Sequence, residues 1–210
     1  MPTRTEKRQR LFELAATQAG YFTAAQARAL GYSARSLVHH GQAGHSFERV
    51  GRGFYRLTEF PTLPHENVIA AWVKAGRDRA AVSHDTALAL YELASSRSRE
   101  IHLTVPRENR PRNRRGLLAG VKIHTTKQPL RREEVIQRFG VRVTSPTRTI
   151  VDSADAGADP SVIMEAVARA LASGLLTADE LRTATRARSE RVRRLIERAA
   201  KEAVRHAPIR

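Results

Sequence analysis

The sequence predicts an α+β protein with two domains and a helical C-terminus. Three observations support this prediction. Residues 20–57 have the pattern of two short helices and a glycine-containing hairpin, residues 101–105 and 121–125 alternate apolar and polar side chains as half-buried strands do, and capped helical segments follow residue 145. With 210 residues, the chain can bury two cores without disulfides or metals.

Capping residues delimit the N-terminal helix pair. Thr23 and Gln26 have the spacing of a capping box, which starts a short helix that ends near Gly31. Ser33 offers a side-chain oxygen to cap the next helix. Small and apolar residues recur at helical spacing on that second helix, and we expect them to form its buried face: Ala34, Leu37, Val38 and Gly41.

The opposite face of the second helix carries side chains that can bind DNA. They are suited to base edges and phosphates in a major groove, and they are Arg35, Ser36, His39 and His40. The hairpin that follows turns through residues 51–53, where glycines permit the positive φ of a tight turn. Arg52 is expected at its tip, where a cation can meet phosphates or enter a minor groove. The helix pair and the hairpin together predict a winged helix-turn-helix.

The charge of the chain favours a polyanionic partner. Lys and Arg number 37 against 21 Asp and Glu, which leaves a net charge of +16, so nucleic acid is the leading candidate. The sequence has no cysteine, which excludes disulfides and thiolate zinc sites. It also lacks an apolar run of membrane-spanning length, and we expect a cytoplasmic protein without a membrane partner.

The second domain is predicted to follow a proline-interrupted segment at residues 60–64, which divides the chain into residues 1–60 and 61–210. Helices are expected at residues 66–75 and 86–93. Strands are expected at residues 101–105, 121–125 and 141–143, which would form a small sheet.

An arginine-rich loop lies between the first two of these strands. Its arginines either contact phosphates or belong to an ordinary solvated loop, and the sequence leaves both interpretations open. They are Arg107, Arg110, Arg112, Arg114 and Arg115.

The C-terminal third is predicted to be helical. Ser145 and Asp159 each precede a proline suited to the first helical position, and Thr177 with Glu180 forms a capping box. A last helix is predicted over residues 189–206, and a first helix of the chain over residues 6–19.

We find no constellation of residues that predicts an enzyme. A restriction-type nuclease needs an acidic pair with a lysine, and the nearest matches carry arginine, which cannot lose its proton. Ser83 and His84 are residue types found in a catalytic triad, but side chains of adjacent residues are expected to point in different directions. Ser83 is expected to cap a helix instead. His39, His40 and His45 lack a carboxylate or cysteine to complete a metal site. No catalytic residue, cofactor or metal is expected.

Several segments in a fixed order resemble one protein family. They are GYFTAAQARALGYSARSLVHHG and RVGRGFYRL, then SHDTALALYEL, IHLTVP, VRVTSPTRTIVDSAD and GLLTADEL. The chain is similar in these segments to the AbiEi-type antitoxins of type IV toxin–antitoxin systems, which act in abortive phage infection. The resemblance implies a transcriptional repressor that binds inverted repeats at its own promoter. It also implies that the chain counters a nucleotidyltransferase-like toxin without a stable complex with it.

The resemblance places the recognition helix at residues 34–41 and the wing at residues 49–56. The predicted partners are double-stranded promoter DNA and the toxin, and the chain is expected to be a monomer in solution or a dimer on DNA. The alternative is an RNA- or toxin-binding interaction protein without sequence-specific DNA reading. The predicted DNA-binding residues are Ser33, Arg35, Ser36, His39, His40, Arg49, Arg52 and Arg56.

Overall fold

The computed structural model describes residues 3–40, 46–94, 99–110 and 118–205. Up to residue 60, the described helices are α1 (Arg4–Ala16), α2 (Ala24–Ala29) and α3 (Ala34–His40), and the strands are β1 (Tyr21–Thr23), β2 (Phe47–Gly51) and β3 (Phe54–Leu57). The strands form an antiparallel sheet of order β1-β3-β2. The predicted hairpin is therefore confirmed, and β1 is a third strand that the sequence did not predict.

The caps of the N-terminal helices are those that the sequence indicates. Thr23 Oγ1 accepts a hydrogen bond from the backbone N–H of Gln26 at 3.2 Å, and the Gln26 side chain accepts one from the backbone N–H of Thr23 at 2.8 Å. Ser33 Oγ accepts from the backbone N–H of Ser36 at 3.0 Å. Helix α1 begins at Arg4 rather than at residue 6, because Thr3 caps it through a further capping box.

One face of this sheet packs against the three helices. The Phe22 ring lies 5.0 Å from that of Phe47 and 5.6 Å from that of Tyr55, measured between ring centroids. Leu11 of α1 and Leu37 of α3 are buried in the same cluster. Because aromatic pairs at these separations add to the stability that apolar burial provides, the cluster holds α3 in a defined position relative to the hairpin.

The remaining described residues form a mixed sheet with helices packed against it. The strands are β4 (Ala81–Val82), β5 (Ile101–Pro106), β6 (Val121–Thr126), β7 (Val135–Arg138) and β8 (Val141–Thr144), and the order is β6-β5-β4-β8-β7. β5 runs parallel to β6, and β4 runs parallel to β8, whereas the other neighbours are antiparallel. The α+β class and the three predicted strands are confirmed, and β4 and β7 are added to them.

The helices of this second part follow the predicted order. They are α4 (Glu66–Lys74), α5 (His84–Leu90), α6 (Pro146–Asp155), α7 (Pro160–Ala172), α8 (Ala178–Thr185) and α9 (Glu190–Arg205). Side chains of Ser145, Asp159 and Thr177 cap α6, α7 and α8 as expected. Residue 206, the predicted end of the last helix, lies outside the described residues.

Ser83 precedes α5 but its side chain does not cap the helix. The hydroxyl is buried, accepts a hydrogen bond from Thr104 Oγ1 at 2.8 Å and lies 2.9 Å from His84 Nδ1. The prediction that Ser83 caps the helix is therefore wrong, because its hydroxyl bonds to Thr104 of β5, a strand distant in sequence. The side chains of Ser83 and His84 also meet, although we expected adjacent residues to point apart.

Helix α4 covers the second face of the three-stranded sheet. Tyr21 donates a hydrogen bond to Glu66 Oε1 at 2.6 Å, and both Tyr21 and Phe54 belong to the same buried cluster as the apolar face of α4. Gly20 permits a close approach here, since a Cβ at this position would lie 2.6 Å from Phe60 Cβ. Apolar packing therefore continues across residue 60, where the sequence predicts a domain boundary.

Candidate nucleic-acid interface

Helix α3 is anchored by one apolar side chain. Leu37 is buried, but Ala34 is exposed and Val38 has 62% of its surface exposed. The predicted buried face is corrected accordingly, and its fourth member, Gly41, lies outside the described residues. A seven-residue helix makes only about two turns, so a single inward side chain is enough to seat it.

The outer surface of α3 carries hydrogen-bonding side chains and one apolar one. Arg35 and His39 are exposed and Ser36 is half-buried, as a groove-facing helix requires. Val38 was missed by sequence reasoning because its spacing indicated the core. Exposed between Arg35 and His39, its methyl groups can contact a thymine methyl group.

Two predicted α3 residues have structural contacts. Ser33 uses its hydroxyl to cap the helix. His40 is half-buried, and its ring centroid lies 5.5 Å from that of Phe47 in β2. His40 therefore packs the end of the helix against the hairpin.

A concave basic surface lies between α1 and α3 and encloses about 600 Å³. Lys7 Nζ donates to the backbone oxygen of Gly31 at 3.1 Å, which ties α1 to the turn before α3. The cations of α1 were not among the DNA-binding residues predicted from the sequence, although their clustering before residue 11 was an available signal. The lining residues that concern DNA binding are Arg4, Lys7 and Arg8 of α1 and Ser33, Ser36 and His39 at α3.

The hairpin presents Arg49 and Arg52 to solvent. Arg52 and Gly53 connect the two strands, and Gly53 has a φ of +60°, which glycine adopts without steric cost. Gly51 is the last residue of β2 and lies at an irregularity in the register. The connection therefore has two residues rather than the predicted three.

Lys74 of α4 fixes the tip of the hairpin. Its Nζ donates to the backbone oxygen of Arg52 at 2.5 Å. Burial, and then the charge of Arg52, lower the pKa of Lys74. The hairpin tip is therefore supported by the second part of the chain.

Arg56 is an interior residue, with 9% of its surface exposed. Its Nε forms an ion pair with Glu66 Oε1 at 3.0 Å, but the two atoms are not aligned for a hydrogen bond. Its Nη2 donates a hydrogen bond to the backbone oxygen of Phe60 at 2.9 Å. The predicted DNA contact of Arg56 is corrected to a structural role. The physical reason is that β3 is the central strand, and Arg56 projects from the face that α4 covers.

Described residues stand at the start of the arginine-rich segment and directly after it. Arg107 and Arg110 are exposed at a 3-10 turn that follows β5. Leu118, the first described residue after the loop, lies against the hairpin, with its Cδ2 3.9 Å from the position that a Cβ at Gly51 would take. The other predicted residues of the loop lie outside the described residues: Arg112, Arg114 and Arg115.

Neither a metal site nor a membrane-spanning helix is found among the described residues. Within the described ranges, no three His, Asp or Glu side chains are arranged to hold a metal ion. His45, one of the histidines weighed from the sequence, falls outside those ranges. None of the helices described here combines the length and apolarity of a membrane span.

Comparison with known proteins identifies the N-terminal region. Residues 9–58 match a family described as "Transcriptional regulator, AbiEi antitoxin". These residues, called the AbiEi region below, are therefore similar to the AbiEi antitoxin family. The AbiEi region extends from within α1 to the residue after β3, and it therefore contains α3, the hairpin and the basic surface between α1 and α3.

The fold is similar to that of a solved structure. The crystal structure of the RV2827C protein from Mycobacterium tuberculosis superposes with a TM-score of 0.63 over 96% of this chain and 78% of that chain, at 10% sequence identity. At this identity the likeness concerns the fold alone. A search of curated proteins found no match.

Proposed function

We propose that this chain is a sequence-specific DNA-binding transcriptional repressor that acts as the antitoxin of a type IV toxin–antitoxin system. Residues 1–60 form a winged helix-turn-helix in this proposal, with α2 and α3 as the helix pair and β2 and β3 as the wing. Residues 61–210 form the antitoxin's α+β domain. The operator is an inverted repeat in the chain's own promoter, so the protein represses its own synthesis.

One observation carries this proposal. Helix α3 is seated through Leu37 and exposes Arg35, Val38 and His39, while the hairpin packed beside it exposes Arg49 and Arg52. A recognition helix in a major groove needs outward donors to read bases, and a wing needs cations to meet phosphates. The AbiEi match covers these same residues.

The arginine-rich segment extends the proposed contact surface. Arg107 and Arg110 are exposed, and Leu118, which follows the segment in sequence, lies beside the hairpin. Phosphate contacts from this segment would add counterion release, and therefore salt dependence, to binding by α3 and the wing. Arg56 is omitted from the proposed surface because it is paired inside the fold.

The proposal also covers partners and location. The protein is cytoplasmic, is not an enzyme, and is a monomer in solution that dimerises on the inverted repeat. It counters a nucleotidyltransferase-like toxin without forming a stable complex with it. This part rests on the AbiEi relationship rather than on a surface of the molecule.

The test is binding of the purified chain to its own upstream DNA, with random DNA and RNA as competitors, across a salt series. Replacing Arg35 with Ala should weaken operator binding by about 1 to 3 kcal/mol and leave random-DNA binding nearly unchanged, because a base contact is lost. Arg182→Ala is the matched control. Arg182 lies on α8, is exposed and pairs with Asp179, and its loss removes the same charge.

Three outcomes separate the interpretations. Competitor-resistant binding that Arg35→Ala weakens selectively supports sequence reading. Equal losses on operator and random DNA remove the base-reading role of α3. Preference for the RNA competitor over the operator overturns the repressor proposal and favours the interaction-protein alternative.

A further inference from the structure

A second concave surface lies on one face of the five-stranded sheet. It encloses about 790 Å³, which is within the range of small-molecule sites. The sheet contributes Thr104 and His124, α6 contributes Arg148, and the segment between α8 and α9 contributes Arg188. None of its described lining residues belongs to the proposed DNA surface, so this cleft is a different site.

His84 and His124 form the floor of the cleft, and His102 lies beside them. The His84 and His124 rings are stacked with centroids 3.5 Å apart, and His124 Nε2 lies 3.4 Å from His102 Nδ1. His84 and His102 are each 5% exposed. Apolar side chains are the usual occupants of such positions, so a buried group of polar rings needs an explanation other than packing.

The backbone at His84 is strained as well. Its φ is +51°, in the left-handed region that residues other than glycine seldom adopt. Such strain clusters at binding and catalytic sites. Burial lowers the pKa of His84 to about 2 and that of His124 to about 4, with the neighbouring histidines of the cluster as the next cause. Neutral imidazoles therefore line the floor at pH 7, and each keeps one N–H donor.

Arginines held by carboxylates form the wall. Arg148 donates through Nε to Asp152 at 2.5 Å and through Nη1 to Glu134 at 2.7 Å. Arg188 donates through Nη2 to the other oxygen of Asp152 at 2.7 Å. Both guanidinium groups are thereby fixed in position before any ligand arrives, which reduces the ordering cost of binding.

The arginines of the wall still have N–H groups that can bind a ligand. A guanidinium has five N–H donors, and the bonds to carboxylates use about two on each arginine. Lys127 adds an exposed ammonium at the edge of the cleft. Counting charges in the lining, Lys127, Arg131, Arg148 and Arg188 face Glu134, Asp152 and Asp155, so four cations against three anions leave one positive charge.

We propose that this cleft binds a small organic phosphate monoester, with the phosphate between Arg148, Arg188 and Lys127 and the organic part over the floor formed by His84 and His124. Planar guanidinium forks match the geometry of phosphate oxygens, and a terminal phosphate has more non-bridging oxygens and more charge than the diester of a DNA backbone. The chemistry leaves two sources for such a group, a free mononucleotide-sized metabolite and the 5′ end of a nucleic acid.

The test is titration calorimetry of the full chain at constant ionic strength. The probes are adenosine 5′-monophosphate, inorganic phosphate, adenosine, and a short oligonucleotide with and without a 5′-phosphate. We expect saturable binding of the monophosphate and none of adenosine. Lys127→Gln and Arg188→Gln should each weaken binding at least tenfold, whereas Arg182→Gln, an equal loss of charge on exposed α8, should not. Histidine ring signals in NMR spectra should shift only with phosphorylated probes.

The outcomes are distinguishable. Lys127 is exposed and outside the carboxylate network, so Lys127→Gln tests the site even if Arg188→Gln is too unstable to measure. Tighter binding of the phosphorylated oligonucleotide than of the monophosphate assigns the ligand to nucleic acid ends, and the reverse assigns it to a metabolite. No saturable binding of any phosphorylated probe, or equal losses in Lys127→Gln and Arg182→Gln, overturns the proposal. Arg35→Ala should bind the monophosphate normally, so failure of the DNA proposal leaves this test intact.

Discussion

Individual arginines in this protein differ in role according to their burial. Arg49 and Arg56 lie on neighbouring strands of one hairpin, and the sequence suggested the same role for both. Arg49 is exposed and available to a polyanion, whereas Arg56 is paired with Glu66 beneath α4. Residue type and spacing predicted that both arginines contact DNA. The direction of each side chain decides which of them can reach it.

Replacing Arg56 with Ala is expected to lower the free energy of unfolding by about 3 kcal/mol, because Glu66 then keeps a mostly buried carboxylate without its cation. Urea denaturation monitored by circular dichroism measures the change. Arg49→Ala, on an exposed side chain, should alter stability by no more than about 0.5 kcal/mol. If Arg56→Ala instead unfolded like the wild type but bound operator DNA less tightly, the structural assignment would be wrong.

At the scale of elements, short local signals were the most informative. The capping pairs at Thr23, Ser33, Ser145, Asp159 and Thr177 lie within three residues of their partners, and each cap is present. Strands β1 and β4 were missed because they have three and two residues, too few to show alternation. Pairing with β3 and with β5 and β8 defines them, and pairing is not local.

Thr23→Ala tests how much the α2 cap contributes. The substitution removes the hydroxyl that accepts from the backbone N–H of Gln26 and should lower the free energy of unfolding by about 1 kcal/mol. Since α2 precedes the proposed recognition helix, operator affinity should also fall. Thr183→Ala, in the exposed interior of α8, serves as control and should be neutral or slightly stabilising, because alanine has the higher helix propensity. A loss in the control as large as that in Thr23→Ala would contradict a capping role.

At the scale of the whole molecule, the buried histidines couple stability to pH. The pKa of His84 is lowered to about 2 and that of His124 to about 4, chiefly by burial, against about 6.5 in an unfolded chain. Between these values the unfolded state binds more protons than the folded state. Stability from these groups is therefore complete above about pH 6.5 and declines as the pH falls, by up to about 1.4 kcal/mol per pH unit for each histidine.

Urea unfolding at several pH values between 7 and 4.5 measures this decline. His124→Gln should flatten it, because one proton-linked site is removed, whereas His39→Gln, on an exposed ring, should leave the slope as in the wild type. Parallel pH profiles for His124→Gln and the wild type would show that the cluster does not cause the acid sensitivity.

The packing between the two sheets is another whole-molecule feature. The predicted boundary at residue 60 coincides with a change of sheet, yet Tyr21 and Phe54 share a buried cluster with α4. Burial raises the pKa of Tyr21 to about 12, with its hydrogen bond to Glu66 as the next cause. The proposed DNA-binding domain therefore packs against α4, in the part of the chain that follows it.

The sequence by itself determined the α+β class, the order of helices, the hairpin, the local caps and the basic character of the chain. These features depend on interactions over three or four residues and on composition, which a linear pattern contains. Only the tertiary structure decided that Val38 is exposed, that Arg56 is buried, that Ser83 bonds Thr104, and that three histidines form one cluster. Each of these outcomes depends on segments far apart in sequence, because packing between them sets which faces lose contact with water.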